Sequence, residues 1–214
     1  SGTLSTSSGA EIVFSTGTHQ LASGSVVSGS GLLSVRQVGV CGSPILNIET
    51  DIAMSGGQIA VTSPGSVFVS AGVDAVDGVL FRVISGLLRV YGGAPVRLNL
   101  IQQTGGLVFV DPSATLEIAD LQVSGTSSNL TAVGAVNVNI FLFNGGSVNV
   151  RPGPLRVLTD ATYSDGQFVG PAGQVFFDGI LTVNGTSLKR ITDLHVLLSG
   201  TGTWSASSGD WFLT

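Results

Sequence analysis

The chain has 214 residues, 43% hydrophobic and only 10% charged, with a net charge of −5. Mean hydropathy is +0.50, yet no apolar run approaches the ~18 residues of a membrane span, so the apolar residues must be spread over many short segments. With no basic stripe and no basic–aromatic interleaving, nucleic acid is excluded as a partner. The single lysine, Lys189, argues against amphipathic surface helices, which carry Lys and Glu faces.

In chain order, short segments of period-2 alternation recur from one end to the other. They are LLSVRQV (Leu32 to Val38), QIAV (Gln58 to Val61), SVFV (Ser66 to Val69), LLRV (Leu87 to Val90), PVRLNL (Pro95 to Leu100) and LVFV (Leu107 to Val110). Further along come TLEI (Thr115 to Ile118), VNVNIFLF (Val136 to Phe143), SVNV (Ser147 to Val150), QVFF (Gln174 to Phe177) and ILTV (Ile180 to Val183). Each is a strand-length run rich in Val, Ile, Leu or Phe. Between them stand SGG, SPG, DG, YGG, TGG, DPS, NGG, RPG, PAG and NGT, all turn chemistry. Only RITDLHVLL comes near a helical period. Ser and Thr supply 45 residues and Gly another 31, so the solvated surface is made of hydroxyls and backbone rather than charge. These features predict an all-β protein.

Several strands share a form: a glycine, then four largely apolar residues. The glycines Gly31, Gly57, Gly86, Gly106, Gly146, Gly173 and Gly200 are separated by 26, 29, 20, 40, 27 and 27 residues. The interval of 40 reads as two turns of 20, with TLEIADLQV opening the missing one. A quasi-period of 20–29 residues is that of one coil of a parallel β-solenoid. Continuous alternation through AVNVNIFLF would set Val136, Val138, Ile140 and Leu142 on one face, and Asn137, Asn139, Phe141 and Phe143 on the other.

The stretch STGTHQLASGSVVSGSGLLSV (Ser15 to Val35), together with SGTGTWSASSGDWFL, resembles the repeat style of secreted or surface-anchored β-helix proteins of the pectin-lyase-like, adhesin and haemagglutinin-repeat type. That resemblance implies a right-handed parallel β-helix acting outside the cell as a stalk, adhesin or assembly unit. Residues 1–214 are then expected to be one solenoid segment of a longer chain or assembly, with Trp204 and Trp211 as candidate assembly contacts. The alternative architecture is a pair of tandem β-sandwiches with a boundary near residue 125, which antiparallel pairing would reveal.

Candidates for chemistry are few. Enzymes on the resembled fold need carboxylates converging on one strand face with a Lys, Arg or His. The close acidic pairs are Glu49/Asp51, Asp74/Asp77 and Asp160/Asp165, and the only histidines are His19 and His195. No catalytic, cofactor or metal site is assigned from them, and no enzymatic activity is expected. Arg82, Arg89 and Arg97, at intervals of seven and eight, could form an external basic ladder or stand as isolated outward positions. Asn129 and Asn184 open sequons, so they are possible glycosylation sites. Cys41, the only cysteine, permits no intrachain disulfide and is expected to be a small buried residue. The expected function is that of an extracellular structural or adhesive solenoid. Its partners would be other copies, neighbouring domains or surface glycans. The alternative is a polysaccharide-binding or polysaccharide-cleaving β-helix.

Overall fold

The computed structural model describes residues 2–39, 42–185, 189–198, 204–206 and 211–213. It is all-β, with 0% helix and 68% strand, wound as a parallel solenoid of about nine turns. Each turn crosses three faces. The first turn shows the order: Thr3–Thr6 on face A, Glu11–Phe14 on face B and Thr18–Leu21 on face C. Every described strand pair is parallel and links one turn to the next, so tandem antiparallel sandwiches are ruled out. Face A is interrupted once. Thr3–Thr6, Val26–Gly29 and Ile52–Ala53 form their own three-stranded sheet, apart from the 18-stranded sheet holding the rest. At that joint the Asp74 amide donates to Asp51 Oδ1 at 2.8 Å.

The register gives the true coil length. On face B it advances 21 residues from Glu11 to Leu32, 26 to Gln58 and 22 to Leu80. It then advances by 20 at each of five steps, through Leu100, Asp120, Ile140, Asp160 and Ile180. The glycine spacing of 29 was not a coil: Gly57 precedes a face B strand and Gly86 a face C strand, so that interval spans more than one turn. The missing rung in the interval of 40 is Ser128–Ala132 on face C, not TLEIADLQV, which lies on faces A and B of the same turn.

Inward positions stack as apolar ladders. Leu116, Val136 and Leu155 follow one another on face A; Ile101, Leu121 and Phe141 on face B; Leu88, Val108 and Leu130 on face C. All are buried, and each such side chain stabilises by ~1.5–3 kcal/mol relative to exposure. The β-branched and aromatic content of the segments suits this stacking on a pleated surface. At one end the core becomes aromatic, with Phe143 lying 5.1 Å from Tyr163 and 5.0 Å from Phe168.

The corners explain the glycines. Gly65, Gly86, Gly106, Gly146 and Gly166 occupy one corner, just before face C. A Cβ on Gly106, whose φ is +70°, would collide with the Gly86 carbonyl. Successive turns approach too closely there for most side chains. The corner between faces A and B works differently. Asn139 and Ile140 are consecutive and both exposed, so the alternation changes phase. Val136 and Val138 point inward before the corner, and Phe141 and Phe143 after it, leaving Ile140 and Leu142 outside. The expectation of continuous alternation through this segment is therefore corrected.

Candidate binding groove and the outer ladders

Outward side chains repeat with the coil, so neighbours in space are about 20 residues apart in the chain. The central outward ladder of face A runs Arg97, Glu117, Asn137, Arg156. Two residues on, at the corner with face B, stand Asn99, Ala119, Asn139 and Leu158. Between these two rows lies an open groove of about 470 Å³. Adjacent rungs are ~4.8 Å apart, so three steps carry it about 14 Å along the axis. Arg97 Nε donates to Glu117 Oε2 at 2.9 Å. Arg156 pairs with Asp178 at 3.0 Å and lies over the Phe176 ring at 5.1 Å from its centroid. The side-chain amides of Asn99, Asn137 and Asn139 make no hydrogen bond to any described residue. The groove thus offers amide donors and acceptors beside two neutralised guanidinium–carboxylate pairs, with half-exposed Leu158 as an apolar patch.

A second open groove, of about 530 Å³, lies at the same corner in the first turns and is lined largely by Gly and Ser. Its one carboxylate, Glu11, is held by Arg36 at 3.4 Å. It presents mostly backbone and no converging set of side chains.

The arginines singled out from the sequence are distributed, not aligned. Arg82 faces outward on face B, Arg89 on face C and Arg97 on face A. An interval of seven or eight residues is about a third of a coil, so each step moves to the next face and no basic ladder forms. Arg89 is packed between neighbouring rungs, its guanidinium 6.0 Å from the Phe68 centroid and 5.8 Å from Phe109. It also makes a fork-like pair with Asp111, two bonds of 2.8 Å. That hydrogen bond, more than the opposing desolvation, raises its pKa above the ordinary arginine value.

The acidic pairs do not converge. Glu49 accepts from Gln20 at 2.9 Å, Asp51 caps the Asp74 amide, and Asp165 accepts from the Gly166 N–H at 2.7 Å. Asp160 stands outward on face B between Ile140 and Ile180. His19 Nε2 lies 2.8 Å from the Thr16 carbonyl, and His195 is exposed beside Gln174 on the adjacent rung. Among the described residues no group of three or more His, Cys, Asp or Glu could hold a metal ion. No described helix is long and apolar enough to cross a membrane.

Asn129 sits outward on face C, and its Oδ1 accepts from Asn149 Nδ2 at 2.9 Å and from Thr131 Oγ1 at 3.2 Å. Asn184 follows the strand Ile180–Val183, and its amide donates to the Tyr163 carbonyl at 3.0 Å. The strands Trp204–Ala206 and Trp211–Leu213 continue faces B and C; the side chains of Trp204 and Trp211 lie outside the described set, as does Cys41. The residue-level signal for the groove was the run of polar residues Arg97, Glu117, Asn137 and Arg156 at steps of about 20, which becomes visible only once the register is known.

No family model, curated protein or solved structure matches the chain. The fold and its surface therefore carry the functional argument alone.

Proposed function

We propose that this protein is an extracellular structural or adhesive rod, serving as a stalk, a fibre or a unit of a surface assembly. The observation that carries this reading is the direction in which the polar side chains act. The four ion pairs among the described residues, Arg36–Glu11, Arg89–Asp111, Arg97–Glu117 and Arg156–Asp178, each join residues about one coil apart. Asn149–Asn129 and Gln20–Glu49 do the same. These contacts act along the axis, tying turn to turn, and with only 10% of its residues charged the chain leaves its flanks weakly charged. Each exposed pair contributes only ~0.2–1 kcal/mol, but together they reinforce a core and backbone ladders that already run along the solenoid. A stiff body with weakly charged flanks suits lateral or end-to-end packing, because little repulsion or desolvation opposes contact. Size-exclusion chromatography with light scattering, followed by electron microscopy of the same sample, tests this. Ordered oligomers or filaments are expected. A monomer that persists at high concentration and binds no other copy would overturn the assembly reading.

A second reading, polysaccharide binding, is favoured by the face A groove with its unpartnered amides. An extended chain could lie along the axis there, crossing successive rungs.

A further inference from the structure

We infer that the face A groove binds a neutral, linear, hydroxyl-rich chain such as an uncharged oligosaccharide, lying parallel to the solenoid axis; this rests on the polysaccharide-binding reading. Two features decide the ligand class. The first is charge. Both guanidiniums in the groove are committed, Arg97 to Glu117 at 2.9 Å and Arg156 to Asp178 at 3.0 Å. An anionic chain would meet guanidiniums whose charge is already balanced by a carboxylate, and Glu117 besides, so the groove does not favour it.

The second is hydrogen-bonding capacity. Asn99, Asn137 and Asn139 lack side-chain partners among the described residues. Each amide offers two donor hydrogens and a carbonyl acceptor, matching a hydroxyl, which both donates and accepts. Glu117 adds acceptor capacity at the centre.

Geometry sets the orientation. Asn99 and Asn139 share one row two rungs apart, about 10 Å, with Ala119 on the rung between them. Ala119 is the smallest side chain of that row, so it opens the notch. Half-exposed Leu158 offers an apolar surface for the C–H face of a sugar ring. The groove has no enclosed apolar pocket to anchor a peptide side chain, so an extended polyol suits it better than a peptide.

The test is titration calorimetry of the full chain with soluble glucan, mannan, xylan and galactan as neutral probes, and polygalacturonate as the anionic one. Three variants accompany it: Ala119→Trp, which fills the notch from outside the core, Asn137→Ala, and Arg82→Ala on face B as control. At least one neutral chain is expected to bind with little dependence on salt. Asn137→Ala should weaken it about tenfold, the loss of one or two hydrogen bonds. Ala119→Trp should abolish it, and Arg82→Ala should leave it unchanged. Salt-sensitive binding of polygalacturonate alone would overturn the neutral class while leaving polysaccharide binding standing. Neutral binding that survives both groove variants would overturn the site. No binding to any of the chains would overturn both the inference and the reading beneath it. Should Ala119→Trp fail to fold, as circular dichroism would show, Asn137→Ala still decides the matter.

Discussion

Phe143→Ala and Ile140→Ala, three positions apart in one strand, should behave in opposite ways. Phe143 is 1% exposed and touches three other rings: Tyr163 at 5.1 Å, Phe168 at 5.0 Å and Phe141 at 5.8 Å. Removing a buried phenyl costs ~3–5 kcal/mol in lost transfer energy and residual cavity. Each ring pair adds ~0.5–1.5 kcal/mol beyond area, which places this site at the upper end, about 4–5 kcal/mol. Ile140 is 41% exposed and stands on face B between Asp120 and Asp160. Its truncation should cost no more than about 1 kcal/mol. Urea unfolding followed by far-UV circular dichroism checks both. With a slope of ~2–3 kcal/mol per molar, Phe143→Ala should lower the midpoint by about 1.5 M or more, while Ile140→Ala should barely move it. Equal costs, or a larger loss from Ile140→Ala, would refute the change of phase at the corner and restore continuous alternation.

Other expectations concern the corners, an aromatic hydroxyl and an outer ladder. Gly106→Ala should destabilise by at least ~1–2 kcal/mol, because φ there is +70° and the new Cβ meets the Gly86 carbonyl. Gly93→Ala, with nothing within 4 Å, should be near neutral in the same denaturation assay. Burial raises the pKa of Tyr163, whose hydroxyl donates to the Gly166 carbonyl at 2.6 Å. The unfolded chain therefore loses this proton first, near the ordinary tyrosine value of ~10. The contribution is complete below that pH and is lost as pH climbs above it towards the folded value. Thermal melts from pH 9 to 11 should show a fall that Tyr163→Phe diminishes; an identical fall in both proteins would contradict the assignment. Arg89→Ala should cost ~1–2 kcal/mol through loss of the Asp111 fork and the flanking Phe68 and Phe109 contacts. Arg89→Lys should recover only part of that midpoint, since an ammonium cannot reproduce the fork.

The architecture was readable in the sequence because its two signals are local. Alternation within four residues marks a strand, and a glycine before it marks a corner. What the sequence hid depends on the face each segment occupies. Gly57 and Gly86 look alike, yet they stand at different corners, so the interval between them measured no coil. VNVNIFLF reads as one alternating strand, but the corner at Asn139–Ile140 turns two successive residues outward. Arg82, Arg89 and Arg97 look like a ladder because seven or eight residues is a strand plus a turn; that same distance carries the chain to another face. The groove shared this fate. Asn99, Asn137 and Asn139 acquire meaning only when residues 20 apart are set side by side. Alternation, which has a period of two, cannot report a period of 20.

The most direct test of a stiff solenoid is the distance between labels on one outer ladder. Spin labels at Arg82→Cys and Thr182→Cys, in a Cys41→Ser background, sit on face B five rungs apart. At ~4.8 Å per rung, their backbones should lie about 24 Å apart with a narrow distribution, and moving the second label from Thr182 to Thr162 should shorten this by one rung. A broad distribution, or a separation that does not change with the number of rungs between the labels, would contradict the account.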